Sequence, residues 1–207
     1  MGYSGPMRSA LTVVVALVVG LAAGGCHRSS PESQPESRPQ SPSSSSAQPA
    51  GTGSAADIAF LQDVAVHHQQ ALELTAMVPG QSSNPALVAL AEQIAAQQRT
   101  ELQGCQAQLL QWEVPGATPK RPGSAPDTPD VPGMLGQPAI DELRSLHGPA
   151  FDKLWLQSMI AHHRGAITLA HNEIENGQSP DAVSIARSLA VRQQTQIDQL
   201  NQLLEDL

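Results

Sequence analysis

Two pairs of adjacent histidines, His67-His68 and His162-His163, are the side chains of this 207-residue chain best suited to chemistry. Imidazole carries protons near neutral pH and is the commonest protein ligand for transition metals, suiting Cu, Zn, Ni and Fe. A lone histidine on an apolar face is usually a core residue held by a hydrogen bond. Two adjacent histidines that recur 95 residues later set metal ligation beside that alternative. A buried polar group without a partner costs about 1–3 kcal/mol, so each ring needs either a metal or a neighbour such as Gln98, Gln193 or Glu101. Met159, one helical turn before His162-His163, offers a thioether as auxiliary ligand, whereas its counterpart Val64 offers nothing.

Other chemistries lack their residues. Asp63, Glu73 and Glu101 correspond to Ser158, Thr168 and Gln196, so carboxylates are not expected to be duplicated with the histidines. The Glu-x-x-His pattern of di-iron bundles is absent, as are His-Glu-x-x-His and Cys-x-x-Cys. No complete catalytic constellation is found, and the expected protein is not an enzyme. Cys105 matches Leu200 and is expected to act as a small buried hydrophobe. His171 falls away from the apolar stripe and is expected at the surface, while His147 could cover one end of the bundle. A formal net charge of −8 argues against a nucleic-acid partner.

The elements that position the histidines follow from self-comparison. Residues 57–110 and 152–205 align without gaps at the same offset of 95: Phe60 falls on Trp155, Ala71 on Ala166, Pro85 on Pro180 and Gln98 on Gln193. The chain contains a duplicated unit. Within each unit apolar residues recur every three or four positions, from Phe60 to Val78 and from Trp155 to Leu169, as a helix requires. Gly80 and Gly177 mark the ends of these first helices. Asn84-Pro85 and Ser179-Pro180 pair an N-cap residue with proline at the first helical position, and start the second helices. At about 100° per residue from Phe60, His67 falls at about −20° and His68 at about 80°, beside the apolar stripe, and the second unit repeats this. All four rings should therefore face one bundle interior. With aromatics only 2% of the chain, the core must be filled by Ala, Leu, Ile and Val, which suits closely packed helices.

The expected architecture is all-α, a four-helix bundle made of two repeated helical hairpins. Repeat one covers 57–112 and repeat two covers 149–206, within a domain of residues 55–207. The Pro/Gly-rich connection, 113–148, includes a short helix from Ile140 to Leu146, and its length leaves the order of packing open. Before the domain, Arg8 and the apolar run Ala10–Ala23 resemble a signal peptide covering 1–25. Ala23-Gly24-Gly25-Cys26 resembles the bacterial lipobox, which makes Cys26 the expected lipidation site. Residues 26–54 are Ser- and Pro-rich and form a tether. The protein is then exported and held at the cell envelope by a membrane anchor at Cys26; free secretion or a periplasmic location is the alternative.

The run Phe60-Leu61-Gln62-Asp63 leading to His67-His68 and Ala71, with its copy Met159-Ile160-Ala161-His162-His163-Arg164-Gly165-Ala166, resembles the bacterial domain of unknown function family 305. The lead-in Pro132-Gly133-Met134-Leu135 belongs to the resemblance, which covers about residues 57–205. It implies a ferritin-like four-helix bundle, commonly exported, with some relatives linked to copper. Such relatives often carry methionines where this chain has Val64, Leu74, Leu169, Cys105 and Leu200. The histidines transfer, and of the sulfur ligands only Met159 does. The expected function is transition-metal binding, copper first, through His67, His68, His162 and His163. The alternative is a structural or interaction lipoprotein whose histidines form a buried hydrogen-bond layer.

Overall fold

The computed structural model describes residues 53–114 and 131–207. The leader, Cys26 and all but the end of the tether lie outside the described residues, as does the middle of the connection. These residues hold five helices: α1 (Ala55–Gln81), α2 (Pro85–Gln111), α3 (Gln137–Ser145), α4 (Gly148–Asn176) and α5 (Pro180–Glu205). Among the described residues there is no strand, and no helix is long and apolar enough to cross a membrane.

The helix starts form for the reasons the sequence gives. Asn84 Oδ1 accepts the Ala86 and Leu87 amides, Ser179 Oγ accepts the Ala182 amide, and proline follows each cap. Ser54 and Asp57 form a reciprocal capping box at the head of α1. Two ends differ from expectation. Gly80 does not stop α1, which runs through Pro79 and Gly80 to Gln81. The Gln81 amide donates to the carbonyls of Leu143 and Arg144, and this tie to α3 continues the helix where local propensity would end it. The connecting helix spans Gln137–Ser145 rather than Ile140–Leu146, and α4 begins at Gly148. Gly177 does follow the end of α4.

The topology left open by the sequence is settled by which residues share a core. One apolar cluster, the upper, combines Phe60, Leu61 and Val64 from the start of α1 with Leu109 from the end of α2, Leu169 from late α4, and Ala182, Ala186 and Leu189 from early α5. The other, the lower, combines Leu74 and Val78 from late α1 with Leu87 and Ile94, Phe151, Trp155 and Leu156, and Ile197 and Leu200. Each hairpin is therefore antiparallel, and α1 lies antiparallel to α4. The Trp155 indole donates to the Leu74 carbonyl at 2.9 Å and joins the two hairpins.

Between the two apolar clusters lies a polar layer. From α1 it receives His67 and His68, from α2 Gln98 and Glu101, from α4 His162 and His163, and from α5 Gln193 and Gln196. Residues at corresponding positions of the repeat thus meet at the middle of the bundle.

Candidate metal centre

All four histidines are between 0% and 1% exposed, which places the paired rings inside the bundle as the helical spacing predicts. Within each pair the two rings differ in role. His67 and His162 stack across the α1–α4 seam with ring centroids 3.7 Å apart and planes tilted by 37°. His68 and His163 stand on the outer sides, their ring centroids 6.3 Å from His67 and 6.2 Å from His162 respectively.

The outer rings are held by the second helix of their own hairpin. His68 Nε2 donates to Glu101 Oε2 at 2.7 Å, and His163 Nε2 donates to Gln196 Oε1 at 2.7 Å. Glu101 and Gln196 occupy the same repeat position, so one contact has been kept with a carboxylate in one unit and an amide in the other. Burial would raise the Glu101 carboxyl, but hydrogen bonds from His68, Gln97 and Arg192 hold it down at about 2. The Gln196 amide donates in turn to Gln97 Oε1, which closes a network across α2 and α5.

The sequence pointed to Gln98 and Gln193 as partners, and this is corrected. Gln98 Oε1 and both polar atoms of Gln193 have no hydrogen-bond partner, and neither residue serves a histidine. Gln196 was the missed partner. The signal for it was available, since the repeat offset carries Glu101 onto it.

The inner pair is without partners. Nδ1 and Nε2 of both His67 and His162 are buried and unpaired, as is Nδ1 of each outer ring. Burial pushes His67 down to about 3, helped by His68 and His163, although the nearby carbonyls of His162 and Pro132 favour the charged form. Burial likewise takes His162 well below its ordinary value, and His163 to about 4 despite its bond to Gln196. The inner rings are therefore neutral at physiological pH, and each keeps an unshared nitrogen lone pair. The donor set fits a transition metal in chemistry: uncharged imidazole nitrogens, desolvated and unclaimed. It is not a finished cage, because no group of three or more His, Cys, Asp or Glu among the described residues is placed to hold a metal ion. Met159 is fully buried, but among Trp155, Leu156 and Ile160 of the lower apolar cluster.

A strap covers the seam beside the inner pair. Val131–Gly136 crosses α1 and α4, with the Pro132 carbonyl near His67. Gly165 permits this approach, because a Cβ there would stand 2.1 Å from the Pro132 oxygen and 2.5 Å from Gly133 Cα. At the corresponding position in α1, Gln70 holds the strap with its amide, donating to the Leu135 carbonyl at 2.9 Å and accepting its N–H at 2.8 Å. Gly133 takes φ +82°, a conformation natural to glycine, and lies against Gly165 and the His162 carbonyl.

Two carboxylates also went unread. Asp57 and Asp152 are duplicated at the repeat offset and both are buried, so the expectation that carboxylates are not duplicated holds for Asp63, Glu73 and Glu101 but fails here. Asp57 accepts the Gln178 and Ser179 amides of the other hairpin at 2.9 and 3.0 Å. Burial would raise it, but these bonds and those from Ser54 and Glu173 hold it at about 2. Its neighbour Glu173 is pushed to about 7 by burial and by sharing a proton with Asp57. The remaining single residues sit where expected or at the surface: Cys105 is buried in the upper cluster, and His171 is exposed. His147 is exposed at the N-cap of α4.

A model of the family described as domain of unknown function DUF305 matches residues 57–204. The chain belongs to the DUF305 family. Among solved structures, a DUF305 protein of Streptomyces coelicolor described as secreted is 27% identical, with a TM-score of 0.63 over 73% of this chain and 93% of that one. A DUF305 fragment from Deinococcus radiodurans is 25% identical, with a TM-score of 0.66 over 76% and 100% of the two chains. CopM in its Cu(II)-bound form is 24% identical, with a TM-score of 0.58 over 72% and 96%, a likeness of fold. No curated protein matches the chain. The all-α bundle read from the sequence is thus the DUF305 fold.

Proposed function

We propose that this DUF305 protein binds a transition metal ion, copper first, through the paired histidines, without catalysing a reaction. The observation that carries the reading is the inner pair, His67 and His162, buried with all four ring nitrogens unpartnered. Neutral imidazoles that no side chain claims are available ligands. CopM, which shares the fold, has been crystallised with Cu(I), Cu(II) and Ag, and that supports the choice of metal. The metal would supply the bonds that these nitrogens lack; His67 and His162 would hold it, His68 and His163 would support it, and Met159 is the auxiliary sulfur.

The setting proposed for this function is the cell envelope. The leader and the Cys26 lipobox-like run support export and a lipid anchor, and the Streptomyces coelicolor relative described as secreted supports export. A second reading rests on the His68–Glu101 and His163–Gln196 bonds, which would make the layer a structural hydrogen-bond network.

Thermal unfolding of the purified full chain with and without Ag(I) or Cu(I) decides between them. A ligand bound only by the native state raises Tm as its concentration passes Kd. The wild type should gain stability, and a variant with His67, His68, His162 and His163 all changed to Gln should gain none. An equal gain in both proteins overturns the histidine site.

A further inference from the structure

The two halves of the polar layer differ in how they meet solvent. On the α2–α5 side a pocket of about 330 Å³ reaches the layer. Its base is formed by Val64, His68 and Cys105, all buried, and its wall by Glu101. Its rim carries Gly104 and Arg192, which are exposed.

The repeat explains why space exists there. Val64, Gly104 and Cys105 correspond to Met159, Gln199 and Leu200 in the other unit, and Met159 and Leu200 are fully buried in the core. Three positions have smaller side chains in the first unit, and all three line the pocket. The chemistry of the wall is also selective. Glu101 is an ionised carboxylate with its side chain 7% exposed, and Arg192, with its side chain 43% exposed, bonds to it from the rim. His68 presents an imidazole whose Nδ1 has no partner, and its ring adjoins His67.

We propose that this pocket is the entry vestibule through which the metal ion reaches the inner histidine pair, with the Arg192–Glu101 ion pair as its gate. The proposal rests on the metal-binding reading above. A small cation is drawn toward Glu101 by the local carboxylate and by a chain of net charge −8. It displaces the half-exposed guanidinium, passes the Cys105 sulfur and meets His68, the last side chain of the pocket, whose ring adjoins His67. The corresponding route in the second unit is filled by Met159 and Leu200.

A vestibule governs rates and leaves equilibrium alone, and this gives the test. The full chain is mixed rapidly with Ag(I), free silver is trapped at set times, and bound silver is counted; release is followed by dilution into a chelator. Gly104→Gln copies the second unit at the rim, and nothing lies within 4 Å of where its Cβ would stand, so it folds as the wild type does. The triple variant Val64→Leu, Gly104→Gln, Cys105→Leu narrows the pocket further and adds no sulfur ligand. Uptake and release should both slow, by about tenfold in the triple variant, with Kd unchanged. Arg192→Gln, which copies Gln97, should speed both. Unchanged rates in Gly104→Gln and the triple variant, with silver still bound, overturn the vestibule and leave the metal site standing. If the triple variant fails to fold, Gly104→Gln and Arg192→Gln decide alone. A wild type that binds no silver overturns both readings.

Discussion

Replacing the inner histidines by leucine, His67→Leu with His162→Leu, should stabilise the metal-free protein. Each ring has two buried nitrogens without partners, and an unsatisfied buried group costs about 1–3 kcal/mol, so the pair carries a penalty of about 4 kcal/mol even at one cost per ring. Leucine removes that penalty and is apolar like the clusters above and below. Against this stand the lost ring–ring contact, about 1 kcal/mol, and imperfect filling of a site shaped for planar rings, about 1 kcal/mol more. The net expectation is a gain of about 2 kcal/mol. Urea unfolding followed by far-ultraviolet circular dichroism measures it, and with a slope of about 2 kcal/mol per molar the midpoint should rise by about 1 M. The same variant should show no stabilisation by Ag(I). A double variant less stable than the wild type by more than about 1 kcal/mol would refute the reasoning, because the rings would then be contributing to the apo fold.

The pH dependence of stability has two opposing sources. His67, His162 and His163 have folded-state values depressed below 6.5, so the unfolded chain binds the extra protons. Their contribution is complete above about pH 6.5 and is lost as pH falls, by up to about 1.4 kcal/mol per pH unit for each ring; Tm measured from pH 7.5 to 5 should show it, and the double leucine variant should show a smaller slope. Glu173, raised to about 7, acts in the other sense: the folded state keeps a proton that the unfolded chain loses above about 4.5, so its contribution fades as pH rises toward 7. Glu173→Gln should therefore gain about 1 kcal/mol at pH 8 in urea unfolding, after allowance for solvent screening, and little at pH 5. Gly165→Ala should cost about 2 kcal/mol, because the new Cβ would overlap the Pro132 carbonyl and force the strap off α4. Faster amide exchange confined to residues 131–136 would accompany that loss, and unchanged exchange would contradict the packing described for the strap.

The parts of this fold that are local were legible in the sequence. Proline after an N-cap residue fixes the start of α2 and α5 without reference to any other element, and the 95-residue offset exposes the duplication. The inward direction of the histidines follows from helical angle alone. What could not be read depends on the stagger between helices. Gln98 and Gln193 lie on the inner faces, as do Glu101 and Gln196, and only the vertical offset of α2 against α1 decides which of them reaches an imidazole. The strap was hidden for a similar reason. Gln70 and Gly165 look unrelated as residue types, yet they hold the same segment at corresponding positions, one by amide bonds and the other by having no side chain. The polar layer itself left a trace: apolar positions of α1 lapse between Val66 and Ala71, where the histidines and Gln70 are buried instead.

The stacking of His67 on His162 brings a residue against its own copy. Such a contact is isologous, of the kind that forms on the two-fold axis of a homodimer. A single hairpin of this sequence type already encodes the whole inner pair, provided that it associates with a second hairpin. Joining the hairpins in one chain removes the concentration dependence of that association. It also frees the two halves from identity, and the changes that followed are those found off the axis: carboxylate against amide at Glu101 and Gln196, and small against large at Cys105 and Leu200. Symmetry is kept where the two halves must touch, and given up where only one of them faces the way in.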